Sequence, residues 1–240
     1  MKHAIILAAG KGTRMNSDLP KCAHMVLGKP MINHIVDACK DAGIDDIIVI
    51  IGFKREVIMD LLKNEPKVRF AFQEEQLGTG HAVMCAKELL DNEDGNTVIL
   101  PGDMPLIGKE NINKLIKIHL ENHYAMTILT ALFDNPFSYG RIVRDSKSIT
   151  RIVEEKEATD EEKLIKEVNT GLYVVDNKML FDSLSKINNN NAKGEYYLTD
   201  IVGIISKNNI VGSLIGNYDY HLMGINDIPT LNKVEMLAQK

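Results

Sequence analysis

A glycine-rich stretch with two nearby cations lies close to the start of the chain. Residues 5–21 read IILAAGKGTRMNSDLPK, and Gly10 and Gly12 leave the backbone open to close approach by a ligand. Arg14 and Lys21 lie in the same short stretch, so backbone N–H groups and two positive charges converge on one place. Such a combination of donors and charge is suited to holding a polyphosphate.

The spacing of this stretch excludes two better-known phosphate-binding loops. A Walker A loop has the form GxxxxGK[ST], which occurs nowhere in the chain. The dinucleotide fingerprint GxGxxG would need a third glycine at position 15, where this chain has Met15. It would also need an acidic residue at the end of the second predicted strand, but that strand is followed by residues 52–54 (GFK). A glycine–lysine turn on a basic surface is the plainer alternative, and it would be favoured for an isolated GxG.

Six further short motifs of glycine, polar or charged residues follow in order along the chain. They are residues 73–82 (QEEQLGTGHA), 102–107 (GDMPLI), 139–142 (YGRI), 167–171 (EVNTG), 195–200 (EYYLTD) and 224–227 (GIND). Together with LAAGxGTRM and LPK, this set resembles the sugar-1-phosphate nucleotidyltransferases, and within them the nucleotidyl-transfer half of the bacterial N-acetylglucosamine-1-phosphate uridylyltransferases. The resemblance covers essentially residues 3–235, and its specificity lies in the order of the motifs.

The resemblance implies a reaction, its substrates and its metal. UTP and N-acetylglucosamine 1-phosphate would give pyrophosphate and UDP-N-acetylglucosamine, a peptidoglycan precursor. A phosphate oxygen of the sugar would attack the α-phosphorus in line, so the protein needs no covalent nucleophile and instead holds two anions together. Mg²⁺ suits this chemistry, because it binds through one or two protein oxygens together with phosphates and waters.

The resemblance also assigns roles to individual residues. Arg14, Lys21 and Asp103 are the expected catalytic residues, and Asp103 and Asn226 the expected Mg²⁺ ligands. The residues expected to contact the nucleotide are Leu7, Ala8, Ala9, Gly10, Gln73, Gly78 and Thr79. The residues expected to contact the sugar are Gly140, Glu154, Asn169 and Thr199.

Elementary chemistry supports the role of Gln73, and several other assigned residues have a plainer structural alternative. The Gln73 amide offers both a donor and an acceptor, as the imide edge of uracil requires. Asp103 could instead be a turn or N-cap aspartate, Asn226 a turn asparagine, and Glu154 a solvated member of an acidic run. His81 is expected to be a packing or helix-surface histidine rather than a catalyst.

Apolar periodicity predicts the elements that must position these residues. The predicted strands are residues 4–9, 47–51, 68–72 and 97–100, and the predicted helices between them lie within residues 32–43, 57–62 and 79–90. This alternation implies βαβ units, hence a Rossmann-like α/β fold with a mostly parallel sheet and helices on both faces. Ligands of such sheets bind at the carboxyl ends of strands, where residues 10–21, Gln73 and Asp103 fall.

The regular alternation of predicted strands and helices ends after Asn122. Residues 125–133 are strand-like, residues 135–140 form a predicted loop, and residues 141–143 begin another short strand. Helical spacing returns at residues 198–205. These pieces predict a small β-rich insertion that folds over the sheet edge and, in the family, holds the sugar.

We expect one nucleotidyltransferase domain over residues 1–240. Its parts are a nucleotide-binding part at about 1–122, a sugar-binding part at about 123–226 and a C-terminal helix at 227–240. Bifunctional relatives continue into a left-handed β-helix acetyltransferase domain of hexapeptide repeats, and no six-residue repeat occurs in this chain. Because that β-helix makes the trimer in those relatives, the chain is expected to be a monomer or a weak homodimer.

Composition limits the binding partners that are expected for the protein and the cellular compartment in which it is expected. A net charge of −5 provides no global basic field for nucleic acid, so phosphates must be held by local cations. Three cysteines without metal-like spacing, and a short N-terminal apolar run that is soon followed by cations, predict a cytoplasmic protein. No stretch reaches the ~18 apolar residues of a transmembrane helix, so no membrane partner is expected.

Three other functions stay open at this stage. The chain could be a pyrophosphorylase for another sugar 1-phosphate, such as glucose 1-phosphate, or for another nucleotide. It could be a non-catalytic nucleotide-sugar sensor or assembly subunit, which would be expected to lose phosphate or metal ligands. A cytidylyltransferase of alcohol phosphates is disfavoured by residues 139–142 and 167–171, which match the acetamido-sugar branch.

Overall fold

The computed structural model of the protein describes residues 2–90, 93–136, 138–217 and 219–239. Met1, Phe137 and Lys240, which belong to the predicted domain, loop and C-terminal helix, lie outside the described residues. The strands are β1 (Lys2–Leu7), β2 (Met25–Val26), β3 (Lys29–Pro30), β4 (Asp46–Ile51), β5 (Val68–Phe72), β6 (Asn96–Pro101), β7 (Met126–Leu132), β8 (Arg141–Arg144), β9 (Ile149–Val153), β10 (Glu167–Asp176) and β11 (Val211–Gly216).

Helices occupy much of the remaining chain. The α-helices are α1 (Met31–Asp41), α2 (Arg55–Leu61), α3 (Thr79–Met84), α4 (Lys87–Leu90), α5 (Gly108–Glu121), α6 (Asp160–Lys163), α7 (Asn177–Leu184), α8 (Asp200–Ile205) and α9 (Ile228–Ala238). Short 3₁₀ turns lie at Thr13–Met15, Lys21–Ala23 and Tyr220–Leu222. Within the described ranges, no helix combines the length and apolar character that a membrane span requires.

The central sheet is mixed but mostly parallel. Its order is β11-β7-β10-β6-β1-β4-β5, and the β8–β9 hairpin attaches to β10. β1 runs parallel to β4 and β6, β4 to β5, and β7 to β11, whereas β10 runs antiparallel to β6 and β7. The predicted α/β class is confirmed. The β-rich second half differs in one detail, because β10 pairs directly with β6 and continues the sheet instead of folding over its edge.

Strand β1 is buried on both faces, as a central parallel strand requires. Ile5 and Ile6 are both fully buried, yet they belong to separate apolar clusters, because successive side chains point to opposite faces. A third cluster contains Met15, Ile225 and Val234 and so joins the beginning of the chain to its end. This third cluster brings the predicted second metal position next to the glycine-rich loop.

The predicted helix over residues 79–90 is interrupted. It divides into α3 and α4, with Cys85 and Ala86 between them. The Ala86 N–H donates to the Val83 carbonyl at 3.0 Å, three residues back, so the chain tightens into a turn there. The helical periodicity was continuous across this point, and only the hydrogen-bond pattern reveals the break.

Candidate active site

Four polar side chains from distant parts of the chain meet at the carboxyl end of the sheet. The Lys21 ammonium donates to Asp103 Oδ2 at 2.6 Å and to Asn226 Oδ1 at 2.7 Å. The Arg14 guanidinium donates to the same Asn226 oxygen at 2.8 Å. The structure therefore brings together all the residues for which the sequence predicted a phosphate or metal role.

Local backbone geometry holds Lys21 and Asp103 in these positions. Gly12 has a φ of +66°, and a Cβ there would lie 2.6 Å from the Lys21 Cβ, so the packing requires glycine. The Gly102 N–H donates to the Leu7 carbonyl at 3.0 Å, which ties the turn before Asp103 to the end of β1. The Ile225 N–H donates to the Asp103 carbonyl at 2.7 Å and so carries the neighbouring Asn226 into the site.

The Lys21–Asp103 ion pair is partly withdrawn from water. The side chains are 15% and 24% exposed, so their attraction is screened less than that of a surface pair. Cys22 lies beside them, and burial raises the pKa of its thiol to about 12. This thiol therefore stays protonated at neutral pH and is no nucleophile.

The cation cluster forms one end of a cleft of about 360 Å³. The predicted site residues on its wall are Leu7, Ala9, Gly10, Lys21, Gln73, Gly78, Thr79 and Asp103. The side chain of Ala8 does not reach the cleft, because strand alternation turns it into the opposite apolar cluster from Ala9. Gln76, Pro101 and Glu195 also line the cleft, although the sequence assigned no binding role to them.

The other end of the cleft is built around Gln73, which is only 3% exposed. Its backbone N–H donates to the Ile51 carbonyl at 2.8 Å, as a continuation of β5 beside β4. Its side-chain nitrogen donates to the Gly78 carbonyl at 3.0 Å and lies 3.1 Å from His81 Nδ1. Gly78 has a φ of +112°, and a Cβ there would lie 2.6 Å from the Tyr196 carbonyl oxygen, so no larger residue fits.

His81 is the functional candidate that the sequence reasoning missed. It was expected to be a packing or helix-surface histidine, yet it contacts the Gln73 amide. The signals in the sequence were its place in the motif at residues 73–82 and in the first turn of the helix that begins at Thr79. Thr79 itself accepts a hydrogen bond from the Leu198 N–H at 3.1 Å through its hydroxyl, which joins this helix to the segment before α8.

The four predicted sugar residues lie together on the other half of the sheet. The Thr199 hydroxyl donates to Glu154 Oε1 at 3.0 Å, so this carboxylate has a hydrogen-bond partner within the protein. The Asn169 N–H donates to the Gly140 carbonyl at 2.9 Å, and its amide donates to the Tyr173 hydroxyl at 2.7 Å. A Cβ on Gly140 would lie 3.6 Å from Glu154 Oε1, which shows how closely the two segments approach.

Carboxylates near Glu154 affect the titration of two neighbouring groups. Burial and the Glu154 and Glu157 carboxylates raise the pKa of Asp200. Burial and the same two carboxylates, with others, raise the pKa of the Tyr197 phenol. Glu154, Glu157 and Asp200 line one pocket together with the cationic side chains of Arg151, Lys186 and Lys207.

Arg141 holds the segments that carry Gly140 and Glu154. It is 2% exposed, donates to the Tyr139 carbonyl and donates to Glu155 Oε2 at 2.6 Å. The guanidinium thus spans the β8–β9 hairpin beside the sugar residues. The sequence marked the YGRI motif but did not reveal this ion pair.

The described part of the chain offers no cluster of three or more His, Cys, Asp or Glu side chains arranged to hold a metal ion. Asp103 and Asn226 instead supply one anionic and one neutral oxygen. A cation bound there would have to complete its shell with ligand and water oxygens.

Comparisons with known proteins identify the family of the chain. The model of the nucleotidyl transferase family matches residues 3–217, so the chain belongs to that family. It is 49% identical to the Bifunctional protein GlmU of Acholeplasma laidlawii over 97% of this chain and 50% of that protein. It is 52% identical to the GlmU of Limosilactobacillus reuteri over 94% of this chain and 50% of that protein. The chain thus spans about half the length of these curated relatives.

A solved structure supports the fold. The chain superposes with a TM-score of 0.79 on a Bacillus anthracis protein described as a "Putative Glucose-1-Phosphate Thymidylyltransferase", in complex with a sucrose. The alignment covers 100% of this chain and 96% of that one, at 22% identity. At that identity the likeness concerns the fold alone.

Proposed function

We propose that this chain transfers UMP from UTP to N-acetylglucosamine 1-phosphate and releases pyrophosphate. The observation that carries the proposal is a single cleft with Lys21 and Asp103 at one end, where Lys21 donates to both Asp103 and Asn226, and the Gln73 amide beside Gly78 at the other. Similarity to proteins named GlmU over nearly the whole chain supports uridylyl transfer, the activity that the ordered motifs imply.

The cations at the phosphate end account for the transfer step. A phosphate oxygen of the sugar bonds to the α-phosphorus while the bond to the β-phosphate breaks, so negative charge grows on the departing pyrophosphate. Arg14 and Lys21 bind the triphosphate, and Lys21 stays with the leaving group. A partly buried ammonium stabilises this charge more than an exposed one, because fewer water dipoles screen it.

The donor set at this end fits Mg²⁺. Asp103 Oδ2 and Asn226 Oδ1 already face one cation, the Lys21 ammonium, so two hard oxygens are aimed at one position. Asp103 and Asn226 would hold the ion, with phosphates and waters as its other ligands. When bound, Mg²⁺ supplies charge neutralisation and polarises phosphoryl oxygens.

The groups around Glu154 suit the sugar. Its carboxylate accepts from the Thr199 hydroxyl, and the Asn169 amide is held by Tyr173 and by the Gly171 N–H, which donates to Asn169 Oδ1 at 3.0 Å. A carboxylate, a hydroxyl and an amide together offer the donors and acceptors that sugar hydroxyls and an acetamido group require. We assign Gly140, Glu154, Asn169 and Thr199 to the sugar on this basis.

The alternatives differ in measurable ways. A pyrophosphorylase for glucose 1-phosphate or another nucleotide would use the same phosphate end with a different substrate pair. A sensor would bind nucleotide sugars without turnover, but the intact set of Arg14, Lys21, Asp103 and Asn226 argues against loss of chemistry. A cytidylyltransferase would prefer CTP.

Pyrophosphate release from each pair of nucleoside triphosphate and sugar 1-phosphate tests the proposal. We expect UTP with N-acetylglucosamine 1-phosphate to give the highest kcat/KM, and EDTA to abolish the reaction until Mg²⁺ is restored. A faster rate with another pair would replace the proposed substrates. Binding of UDP-N-acetylglucosamine without release from any pair would favour the sensor.

Compartment and oligomeric state belong to the same proposal. Cys22, Cys39 and Cys85 are free thiols, which is consistent with a reducing cytoplasm. We propose a cytoplasmic monomer or weak homodimer, whose mass sedimentation equilibrium would measure. A stable trimer would contradict this expectation.

A further inference from the structure

We propose that His81 fixes the orientation of the Gln73 amide, and that this orientation selects nucleotides whose base carries a hydrogen on its ring nitrogen N3. The inference rests on the proposed function and deepens it. His81 acts here as a positioning residue, because it reaches the base only through Gln73.

The Gly78 carbonyl determines which atom of the amide faces it. Gln73 Nε2 lies 3.0 Å from the Gly78 oxygen, and a carbonyl oxygen can only accept, so the facing atom must be the nitrogen. The same nitrogen lies 3.1 Å from His81 Nδ1, which must therefore accept its second hydrogen. The neutral imidazole then carries its own hydrogen on Nε2.

Both hydrogens of the amide are used within the protein, so only its oxygen remains for a ligand. None of the described residues donates a hydrogen bond to Gln73 Oε1, and the side chain lies on the cleft wall. A carboxamide oxygen only accepts. The site thus presents an acceptor, and not a donor, to the base.

This acceptor separates uracil from cytosine. Uracil and thymine carry a hydrogen on N3, whereas N3 of cytosine is itself an acceptor. Turning the amide to suit cytosine would set its oxygen against the Gly78 carbonyl and leave two acceptors facing each other in a nearly buried place. Sites of this kind reject a ligand whose donors and acceptors do not match.

Two substitutions separate positioning from packing. The His81 ring lies 6.4 Å from the Tyr196 ring, centroid to centroid. His81→Phe keeps an aromatic ring there and removes the acceptor, whereas His81→Asn removes the ring and keeps an acceptor oxygen at the distance of Nδ1 from the backbone. The matched control is His34→Phe, since His34 is a partly buried helical histidine that bonds the Val26 carbonyl at 2.8 Å outside the cleft.

The experiment measures kcat and KM for pyrophosphate release with UTP, CTP and 3-methyl-UTP, in which a methyl group replaces the N3 hydrogen. Calorimetry measures the affinity for each nucleotide. We expect the unmodified protein to favour UTP over both analogues. His81→Phe should reduce the UTP preference over CTP by about tenfold, mainly through KM, because one neutral hydrogen bond positions the amide. His81→Asn should restore most of the preference, and His34→Phe should leave it unchanged.

Several results would overturn the inference. If His81→Phe lowers kcat/KM equally for every nucleotide, the ratio of kcat/KM for UTP to that for CTP is unchanged. His81 would then be only a packing residue, and the proposed function would still stand. Equal use of 3-methyl-UTP and UTP by the unmodified protein would also refute it. If no nucleotide is turned over, the proposed function fails, and the calorimetric preference between UTP and CTP still decides the inference.

Discussion

The proposed phosphate end (Arg14, Lys21, Asp103 and Asn226) and the proposed sugar end (Gly140, Glu154, Asn169 and Thr199) differ in electrostatic character. At the phosphate end, the Lys21 and Arg14 cations surround one carboxylate and one amide. At the proposed sugar end, Glu154 accepts from the neutral Thr199 hydroxyl, and desolvation and the Glu154 and Glu157 carboxylates raise the pKa of the neighbouring Asp200. Under the proposed function, this difference would favour binding of the triphosphate at the phosphate end.

The two ends also differ in construction. Lys21 and Asn226 are separated by 205 positions in the sequence and meet where strands of the parallel sheet end. Of the proposed sugar residues, Gly140, Glu154 and Asn169 lie in the antiparallel β8–β10 region, where Gly171 adopts a φ of +85° in an irregular stretch of β10, and Thr199 precedes α8. Changes at the phosphate end should therefore affect the chemical step, and changes at the sugar end should affect the binding of one substrate.

The largest expected effect is that of Asp103→Asn. Loss of one negative charge should weaken Mg²⁺ binding and lower kcat on the order of 10³-fold, while the isosteric amide keeps the fold. Mn²⁺, which tolerates neutral ligands better, should restore part of the rate. Rates across a Mg²⁺ titration measure both effects.

The control for Asp103 is Asp46→Asn, at the opposite end of the same sheet, where Asp46 pairs with Arg69. This control should keep the metal dependence of the unmodified protein. If Asp103→Asn matches the unmodified protein in metal requirement and maximal rate, Asp103 is only a turn residue.

Lys21→Ala should come next in size. The expected loss in kcat is on the order of 10²-fold, with a smaller change in UTP affinity, because Lys21 meets charge that grows only in the transition state. Steady-state kinetics and calorimetry separate the two quantities. Lys40→Ala is the control, since Lys40 also forms partly buried ion pairs, with Asp37 and Glu65. A normal kcat in folded Lys21→Ala would remove Lys21 from the mechanism.

Glu154→Gln tests the sugar end. The substitution replaces the carboxylate that accepts from Thr199 by a neutral amide. It should raise KM for the sugar 1-phosphate about tenfold, because a charged hydrogen bond is lost at the sugar end. KM for UTP should stay unchanged, because the phosphate end is not altered. Glu162→Gln is the control, since Glu162 pairs with Arg151 and caps α6. Equal changes in both KM values would contradict the separation of the two ends.

Asp200→Asn should have the smallest effect, on stability alone. Because burial and nearby carboxylates raise its pKa, the folded protein binds this proton more tightly than the unfolded chain does. Stability is therefore lost as pH rises from the ordinary value of 3.8 through the raised pKa. Asn cannot ionise, so the substitution should raise Tm by less than about 1 °C at pH 7, because water screens this exposed side chain, and by less still at pH 4.

Asp46→Asn should show the opposite sign. Burial would raise the pKa of Asp46, but hydrogen bonds from Arg69 and His3 lower it overall. Its contribution to stability is present above the ordinary pKa and disappears as pH falls through the lowered one. The substitution should therefore lower Tm at pH 7 more than at pH 4, as thermal unfolding at both values would measure. If either substitution shifts Tm equally at pH 7 and at pH 4, the predicted electrostatic effect of that residue is wrong.

Local periodicity in the sequence was sufficient to predict β1, β4, β5 and β6. β1, β4 and β6 contain continuous apolar runs, and β5 (VRFAF) is apolar except for Arg69, so the pattern depends only on neighbours along the chain. The same locality explains why the break between α3 and α4 was not anticipated, because the apolar spacing continues through Cys85. The local sequence also does not predict that β10 pairs with β6, because strand pairing depends on contacts between residues that are far apart in the chain.

For the site, the sequence by itself determined which residue types and motifs are present, in order, from the glycine-rich loop to Asn226. Only the tertiary structure decided which atoms meet. The Arg14–Asn226 contact depends on the third apolar cluster, and the His81–Gln73 contact depends on the turn at Gly78. Distances of about 3 Å between groups far apart in the chain follow from packing and strand register, for which no local pattern in the sequence provides a signal.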